Sequence, residues 1–385
     1  MQVWSFVPLL NFSNKLKLCA PKPARTQSPK PLAEILRDRV TMKLVKPKKL
    51  NKGDKVATIS LSWGGAGELS HRYAHGKKQL EEIFGLEVIE TKNALKSAKW
   101  IYDNPQARAE DLMEAFEDKS IKAIISNIGG EDSIKTLRYC DISVIQRNPK
   151  IFLGFSDSTI THFLCMKAGL CSFYGTSLLV GFAENGGMHQ YQIEDLKKNL
   201  FAANPIGEIY PNKNGWTSER LDWFDPNLMT QKRKLNNSKN WNFLQGNSVV
   251  QGHLLGGCME VLEFMKGTNY WLSKEFWKGS ILFFETSEDM PTPEYLRWWL
   301  RNYAEQGILK SVNGIIFGRP YDNKYVEEYN NEIKKVLVEE KLEDLPVITE
   351  MDFGHTCPTF TIPYGVQAEI DCLNKKFKIL ESGVE

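Results

Sequence analysis

Short apolar runs alternate with helical segments from Lys55 onward, and this alternation is the feature that most constrains the fold. The apolar runs are compact, as buried strands are, and they read KVATISLS, LEVIET, IKAIISNI and KIFLGF. One of the helical segments ends at Gly85, and another opens with Asn104 as its cap and Pro105 at the first helical position. Repeated strand–helix units predict an α/β, Rossmann-like domain with a parallel, doubly wound sheet. In such sheets the chemistry gathers at the carboxyl ends of the strands.

The second half of the chain shows a different pattern. Residues 201–250 are polar and turn-rich yet contain Trp216, Trp223 and Trp241, so we expect this segment to pack on the body or to cover a site. Beyond it, several apolar runs and two helical patterns predict a β-rich domain. The predicted regions are a disordered extension over 1–41, a Rossmann-like domain over 42–200, a connecting segment over 201–250 and a β-rich domain over 251–385.

Composition and charge exclude several classes of protein. The chain of 385 residues has a formal net charge of +2, but residues 1–41 hold seven Lys and Arg against two acidic residues, which leaves the body slightly acidic. An acidic body does not favour nucleic-acid binding. No apolar run approaches the roughly 18 to 20 residues of a membrane helix. The seven cysteines are scattered without CxxC spacing, which predicts a cytoplasmic protein with neither a disulfide framework nor a metal site.

Ser156 lies where a buried strand is expected to end and a helix to begin, in the stretch FLGFSDSTITHF. Such a corner exposes the hydroxyl and points the Asp157 N–H at the same space, which is the geometry of a nucleophile elbow. The GxSxG pattern is absent, since position 158 is Ser. A serine or aspartate here can equally cap the helix, so the turn needs partners before it indicates catalysis.

Two residues of the second half can supply those partners. His355 lies in MDFGHTCP, a loop bounded by Gly and Pro just past a predicted strand, where a base can be aimed freely. Glu285 ends the apolar run SILFFE, which is where a strand presents a carboxylate at its tip. The alternative for Glu285 is a solvated charge that leaves the sheet.

The glycine pair Gly129-Gly130 follows the strand IKAIISNI. Glycines at such a turn allow close backbone approach and a positive φ, so their amides can converge on an anion. We predict an oxyanion hole formed by the N–H groups of Gly130 and Asp157. No GxGxxG, GxxxxGK[ST] or HExxH motif occurs, so no nucleotide or metal cofactor is predicted.

Six ordered blocks of the chain resemble one family. They are SNIGGEDS, NPKIFLGFSDSTI, FYGTSLLVGFAENGGM, QGHLLGGCMEVL, ILFFETSE and FGHTCPTFTIPYG, and they are similar to the serine LD-carboxypeptidases, which include muramoyltetrapeptide carboxypeptidases and microcin C immunity peptidases. The resemblance implies Ser156 as nucleophile, His355 as general base and Glu285 as the residue that orients the base. It also implies amide hydrolysis near a free carboxylate without a metal, and a homodimer.

Within this family the chain looks closer to the immunity branch, which cleaves aminoacyl-nucleotides, than to the murein branch. The observations are the NIGG stretch and the Trp-bearing connecting segment. We therefore expect Gly129 and Trp216 to contact substrate, with Trp216 stacking on a nucleobase; the alternative is that Trp216 anchors its loop. Many relatives have Asn where this chain has Cys258, which places Cys258 among the expected substrate contacts but not as a catalytic thiol.

Two other functions remain open from the residues alone. A ligand-binding protein without catalysis would use the same cleft and would not need Ser156, Glu285 and His355 together. An α/β-hydrolase-like esterase would also use a serine triad, but GxSxG is missing and the β-rich second half does not suit that fold. In every case the expected partner is a small molecule, a peptide or an aminoacyl-nucleotide, and not a nucleic acid or a membrane.

Overall fold

The computed structural model describes residues 44–385, which belong to one compact unit and build two β-sheets flanked by helices. The extension predicted over 1–41 lies outside the described residues. The strands are β1 Lys55–Ile59, β2 Glu87–Glu90, β3 Ile121–Ser126, β4 Ile151–Gly154, β5 Phe173–Tyr174, β6 Gly207–Ile209, β7 Asn242–Gln245, β8 Val249–Cys258, β9 Ser280–Glu285, β10 Gly314–Gly318, β11 Val347–Met351, β12 Ile362–Pro363, β13 Gln367–Asp371 and β14 Lys376–Ile379. The α-helices are α1 Gly65–Glu68, α2 Ser70–Phe84, α3 Ala98–Asp103, α4 Pro105–Glu117, α5 Ile142–Arg147, α6 Thr159–Lys167, α7 Gln190–Leu200, α8 Met259–Met265, α9 Lys274–Trp277, α10 Pro293–Glu305 and α11 Val326–Glu339.

The first sheet is the parallel sheet that the strand–helix alternation predicts. Its strand order is β12-β5-β4-β3-β1-β2, and β5, β4, β3, β1 and β2 run parallel. Strand β4 is buried at every residue, as expected of a strand covered by helices on both faces. The exception is β12, which comes from the far end of the chain and pairs antiparallel with β5.

One predicted helix end and one predicted helix start are confirmed. Helix α2 ends at Phe84, and Gly85 follows with φ of 68°, the left-handed conformation that glycine adopts without steric cost. Helix α4 begins at Pro105 after Asn104. The Asn104 side chain does not cap α4, because its amide donates to the carbonyl of Trp100 instead.

The second sheet accounts for the β-rich half of the chain. Its order is β6-β14-β13-β8-β9-β10-β11-β7, with a parallel centre of β8, β9, β10 and β11 and antiparallel strands at both edges. Strands β6 and β7 belong to the connecting segment, residues 201–250, so this segment supplies both edge strands of the second sheet. None of the helices among residues 44–385 is long and apolar enough to cross a membrane.

The carboxyl ends of three parallel strands carry the residues that the sequence singled out. Ser156 follows β4 of the first sheet, Glu285 is the last residue of β9, and His355 lies in the loop after β11 in the second sheet. Since β9 and β11 both flank β10, Glu285 and His355 leave the same edge of the second sheet. The fold therefore places the candidate active site where the carboxyl end of β4 meets the carboxyl ends of β9 and β11.

Candidate active site

Ser156 occupies a strained corner between β4 and α6. Its φ is 58°, a left-handed conformation that is uncommon for any residue with a side chain. Two hydrogen bonds hold the corner: the Ser156 N–H donates to Tyr174 Oη at 3.0 Å, and Thr159 Oγ1 donates to the Ser156 carbonyl at 2.7 Å. A sharp turn of this kind is how a nucleophile elbow presents its hydroxyl.

A continuous chain of hydrogen bonds joins Ser156, His355 and Glu285. The His355 Nε2 lies 3.0 Å from Ser156 Oγ, and His355 Nδ1 lies 2.6 Å from Glu285 Oε2. Because a carboxylate accepts, Nδ1–H donates to Glu285, and Nε2 can accept the Ser156 proton when it carries none itself. The structure thus brings together three residues of which two are 199 positions apart in the chain.

The Glu285 carboxylate is fully buried, and the absence of a side chain at Gly354 leaves room for it. Gly354 has φ of 95°, and a Cβ at that position would come within 2.7 Å of Glu285 Oε2. The second carboxylate oxygen, Oε1, accepts a hydrogen bond of 2.5 Å from Tyr174 Oη. Both oxygens are therefore satisfied, which is the condition for burying a carboxylate.

The environment of His355 favours its protonated form. Burial by itself lowers the pKa of the imidazole, but the adjacent Glu285 carboxylate, with smaller contributions from Glu288 and Glu260, raises that pKa to about 9. The Glu288 carboxylate makes direct contact, with Oε2 lying 3.1 Å from His355 Nε2. One ring nitrogen thus has two neighbours, the Ser156 hydroxyl and the Glu288 carboxylate.

The glycine pair lies beside Ser156, as the oxyanion prediction requires. A Cβ on Gly129 would come within 3.1 Å of Ser156 Oγ and 3.3 Å of the Asp157 nitrogen, so a side chain at this position would crowd the Ser156 corner. Gly130 has φ of 136° and lies against Ser62. The Asp157 carboxylate points away from the corner and accepts from the Ser133 N–H, and burial raises its pKa.

Two cavities meet at Ser156. The first, called here the arginine cavity, has a volume of about 200 Å³, and its lining includes Arg72, Arg220, Arg233, Trp223, Ser156 and His355. The second, called here the acidic cavity, has a volume of about 380 Å³, and its lining includes Glu131, Asp132, Glu260, Glu288, Asp289 and Ser156. Across residues 44–385, no cluster of His, Cys, Asp and Glu side chains is arranged to hold a metal ion.

The structure places Trp216 away from both cavities. The Trp216 side chain is 5 % exposed, its backbone pairs with Asn236, and its ring lies 5.0 Å from the Arg319 guanidinium. This geometry favours the anchoring role for Trp216 over stacking on a nucleobase. Of the three tryptophans in the connecting segment, Trp223, seven residues further on, is the one that lines the arginine cavity.

Cys258 lines the acidic cavity but is itself 1 % exposed. Its thiol donates to Glu260 at 3.3 Å, and burial raises the pKa of the thiol well above its usual value. A neutral, buried thiol is not a nucleophile at ordinary pH, in agreement with the expectation that Cys258 has no catalytic role.

The sequence analysis did not predict three residues of the site. Tyr174 lies in FYGTSLL, one of the blocks that carry the family resemblance, but nothing in that block indicates a contact with Glu285. Glu288 follows Glu285 in FFETSED, where it reads as one of several surface charges. Trp223 is one of three tryptophans in the connecting segment, and only its position against Arg72, with the guanidinium 4.1 Å from the ring centre, distinguishes it.

Comparison with known proteins identifies the family. Residues 56–175 match the model of the LD-carboxypeptidase N-terminal domain, and residues 251–370 match the LD-carboxypeptidase C-terminal domain. The two matches contain Ser156 in the first domain and Glu285 and His355 in the second.

Individual relatives span nearly the whole described chain. The microcin C7 self-immunity protein MccF of Escherichia coli is 28 % identical over 86 % of this chain and 94 % of its own length. A Bacillus subtilis relative named "Probable murein peptide carboxypeptidase" is 24 % identical over 88 % of this chain and 95 % of its own. A crystal structure of an MccF-like protein from Streptococcus pneumoniae in complex with AMP superimposes with a TM-score of 0.76 at 31 % identity, covering 85 % of this chain and 98 % of that one. The chain therefore belongs to the LD-carboxypeptidase family and is a hydrolase.

Proposed function

We propose that the protein is a serine peptidase in which Ser156, His355 and Glu285 act as a catalytic triad. The observation that carries the proposal is the hydrogen-bonded chain from Glu285 through His355 to a serine held at a positive φ. A hydroxyl is a poor nucleophile until a base removes its proton and a third group orients that base. The three side chains have the distances that these roles require.

The proposed reaction proceeds through an acyl-enzyme. Ser156 Oγ attacks the carbonyl carbon of the scissile bond while His355 Nε2 takes the serine proton, and Glu285 holds the imidazole by its Nδ1–H. The amides beside Gly129, namely those of Gly130 and Asp157, are the proposed donors to the oxyanion. His355 then gives the proton to the leaving nitrogen, which leaves the acyl group as an ester of Ser156. In the second half of the reaction His355 takes a proton from water, the water oxygen attacks the ester carbonyl, and Ser156 recovers its proton as the acid is released.

We infer that the substrate is an aminoacyl-nucleotide conjugate. The arginine cavity supports this inference, since the guanidinium carbons of Arg72 and Arg220 lie 4.1 Å and 5.2 Å from the centre of the Trp223 ring. Cationic and aromatic groups together suit a phosphate or sulfamate joined to a base. The AMP complex of the Streptococcus pneumoniae relative and the similarity to MccF support the same class.

A murein LD-peptide is the second candidate substrate. The family description and the Bacillus subtilis relative favour it. A peptide of this kind carries carboxylates for the arginines but no base for Trp223.

The test of the triad is the Ser156→Ala protein, with Ser158→Ala as the matched control in the same turn. Removal of the nucleophile is expected to lower kcat by about 10⁴-fold or more, with substrate still bound. Ser158 directly precedes α6 and lies against Gly154, so loss of its hydroxyl is expected to change stability more than turnover. Product formation is followed by mass spectrometry on aminoacyl-sulfamoyl adenosine and murein tetrapeptide.

Two results would contradict the proposed chemistry. One is full turnover by Ser156→Ala. The other is activity that disappears in a chelator and returns only with zinc.

A further inference from the structure

Ser156 lies between two cavities whose linings differ in charge. Trp63, Gly130, Ser156 and Glu288 line both of them. Three arginines and two glutamates, Glu219 and Glu288, line the arginine cavity, whereas the charged residues that line the acidic cavity are all carboxylates. A substrate that spans Ser156 therefore meets cationic side chains on one side of the scissile bond only, and carboxylates alone on the other.

Some carboxylates of the acidic cavity already have partners. Asp132 forms ion pairs with Arg108 at 2.8 Å and Lys135 at 2.9 Å. Glu260 Oε1 accepts from both the backbone N–H and the hydroxyl of Ser287. These two groups are engaged in holding the structure and are poor candidates for binding a ligand.

The other three carboxylates are differently placed. Glu131, Glu288 and Asp289 are exposed, and within residues 44–385 none of them pairs with a lysine or an arginine. Of the three, Glu288 is the one that reaches the reacting groups, because its Oε2 lies 3.1 Å from His355 Nε2.

The contact between Glu288 and His355 depends on a proton. When Nε2 is protonated it donates to the Glu288 carboxylate, and when it is unprotonated it accepts from Ser156 Oγ. Glu288 thus stabilises the imidazolium, which cannot act as the base. A cationic group of the substrate that binds Glu288 would replace Nε2–H as the donor to that carboxylate. Nε2 could then stay unprotonated and accept the hydrogen bond from Ser156 Oγ.

The chemistry of the substrate identifies such a group. In an aminoacyl conjugate the free α-ammonium is attached to the carbon next to the carbonyl that Ser156 attacks, so it lies close to His355 Nε2 when the carbonyl is in place. The corresponding nitrogen of a peptidyl or N-acylated group is a neutral amide. A carboxylate at this position distinguishes the two, because it forms a charge-assisted hydrogen bond with the ammonium only.

We propose that Glu288 binds the free α-ammonium group of a single aminoacyl residue, and that the site therefore selects aminoacyl conjugates over peptidyl or N-acylated ones. Glu131 and Asp289 attract the same charge from a greater distance. The inference rests on the proposed function for the orientation of the substrate, with the nucleotide in the arginine cavity and the acyl group in the acidic cavity.

The test compares two ligands that differ only in the ammonium group. Leucyl-sulfamoyl adenosine and its desamino analogue, 4-methylpentanoyl-sulfamoyl adenosine, are titrated calorimetrically into the Ser156→Ala protein, which cannot turn them over by the proposed route. We expect the leucyl ligand to bind about tenfold more tightly, as one charge-assisted hydrogen bond in a partly exposed site predicts. Adding Glu288→Gln is expected to reduce this ratio to about one.

The matched control is Glu327→Gln in the same Ser156→Ala background. Glu327 is an exposed glutamate of α11 that lines neither cavity, so its removal changes the net charge equally and is expected to keep the ratio. Melting temperatures of all variants establish that each is folded.

The proposal is overturned if the two ligands bind Ser156→Ala equally, or if their ratio survives Glu288→Gln. Hydrolysis of the leucyl conjugate by the unsubstituted protein is measured separately. A preference that Glu288 controls, in a protein that does not hydrolyse the conjugate, would contradict the proposed function and leave the ammonium site standing.

Discussion

Tyr174 connects the strained serine to the buried carboxylate through a single hydroxyl. That hydroxyl accepts from the Ser156 N–H at 3.0 Å and donates to Glu285 Oε1 at 2.5 Å. Burial, together with the neighbouring Glu285 carboxylate, raises the pKa of Tyr174 well above its ordinary value, so the hydroxyl keeps its proton for this role. Tyr174 thus fixes Ser156 and Glu285, the proposed nucleophile and orienting carboxylate, relative to each other and is a proposed positioning residue.

The Tyr174→Phe protein is expected to lose about 5- to 150-fold in kcat with little change in KM. The substitution leaves one oxygen of the buried Glu285 carboxylate without its donor, and an unpaired buried group costs about 1 to 3 kcal/mol, which corresponds to this range of kcat. Steady-state kinetics on the best substrate measure the effect.

Tyr364→Phe is the control for Tyr174→Phe. Tyr364 is equally buried, packs against Tyr174 and donates to the Gly256 carbonyl at 2.8 Å, outside the hydrogen-bonded chain of the site. We expect it to lower the melting temperature and to keep kcat. Equal losses of kcat in both variants would show that Tyr174 acts only through packing.

At the scale of elements, the connecting segment is bound to the loop that carries His355. Thr217 and Cys357 exchange two backbone hydrogen bonds, of 2.8 Å and 2.9 Å, and Cys357 is two residues from His355. The preceding residue, Trp216, is buried beside Arg319. The segment therefore has two tryptophans in different roles, with Trp216 in the packing and Trp223 in the arginine cavity.

The Trp216→Ala and Trp223→Ala proteins are expected to separate these roles. Removal of the buried Trp216 side chain is expected to cost about 3 to 5 kcal/mol of unfolding free energy, since large-to-small changes in a packed site leave a cavity. Removal of Trp223 is expected to weaken AMP binding by about 5- to 150-fold, the effect of losing one base stacked on an aromatic ring. Urea unfolding and calorimetric titration with AMP measure the two quantities in each variant.

Each of the two variants serves as the control for the other. Weaker AMP binding by Trp216→Ala with unaltered stability would indicate that Trp216 stacks on the nucleobase and does not anchor its loop. Unchanged AMP affinity in Trp223→Ala would favour the murein peptide as substrate.

At the scale of the whole molecule, every residue proposed for the chemistry lies within residues 44–385. The first described residues are hydrogen-bonded to the last one. The Glu385 N–H donates to the Pro47 carbonyl at 2.9 Å, and the Lys49 N–H donates to the Glu385 carbonyl at 3.0 Å. The homodimer, the cytoplasmic location and the domain boundaries at residues 200 and 250 stay predictions.

A protein that begins at Met42 is expected to match the full chain in melting temperature and turnover. The reason is the composition of residues 1–41, which are rich in Pro and Lys without a sustained hydrophobic period. Calorimetric melting and steady-state assays of both proteins provide the comparison. Insolubility or lost activity of the shorter protein would assign a structural role to the extension.

The sequence by itself determined the elements and the candidate nucleophile, base and carboxylate. Apolar strand runs and helical spacing are local properties of a sequence, so the parallel sheet, α4 from Pro105, the strand that ends just before Ser156 and the strand that ends at Glu285 follow from the order of residues. The same local rules place His355 in a loop but do not say where the loop points.

The tertiary structure alone decided which side chains meet. The pairing of β12 with β5, the contact of Tyr174 with Glu285 and the approach of Glu288 to His355 join residues far apart in the chain or on different elements. The same holds for which of two tryptophans in one polar segment, Trp216 or Trp223, lines the arginine cavity. Such contacts depend on how two sheets pack and how loops fold back between them, and hydrophobic periodicity carries no information about either.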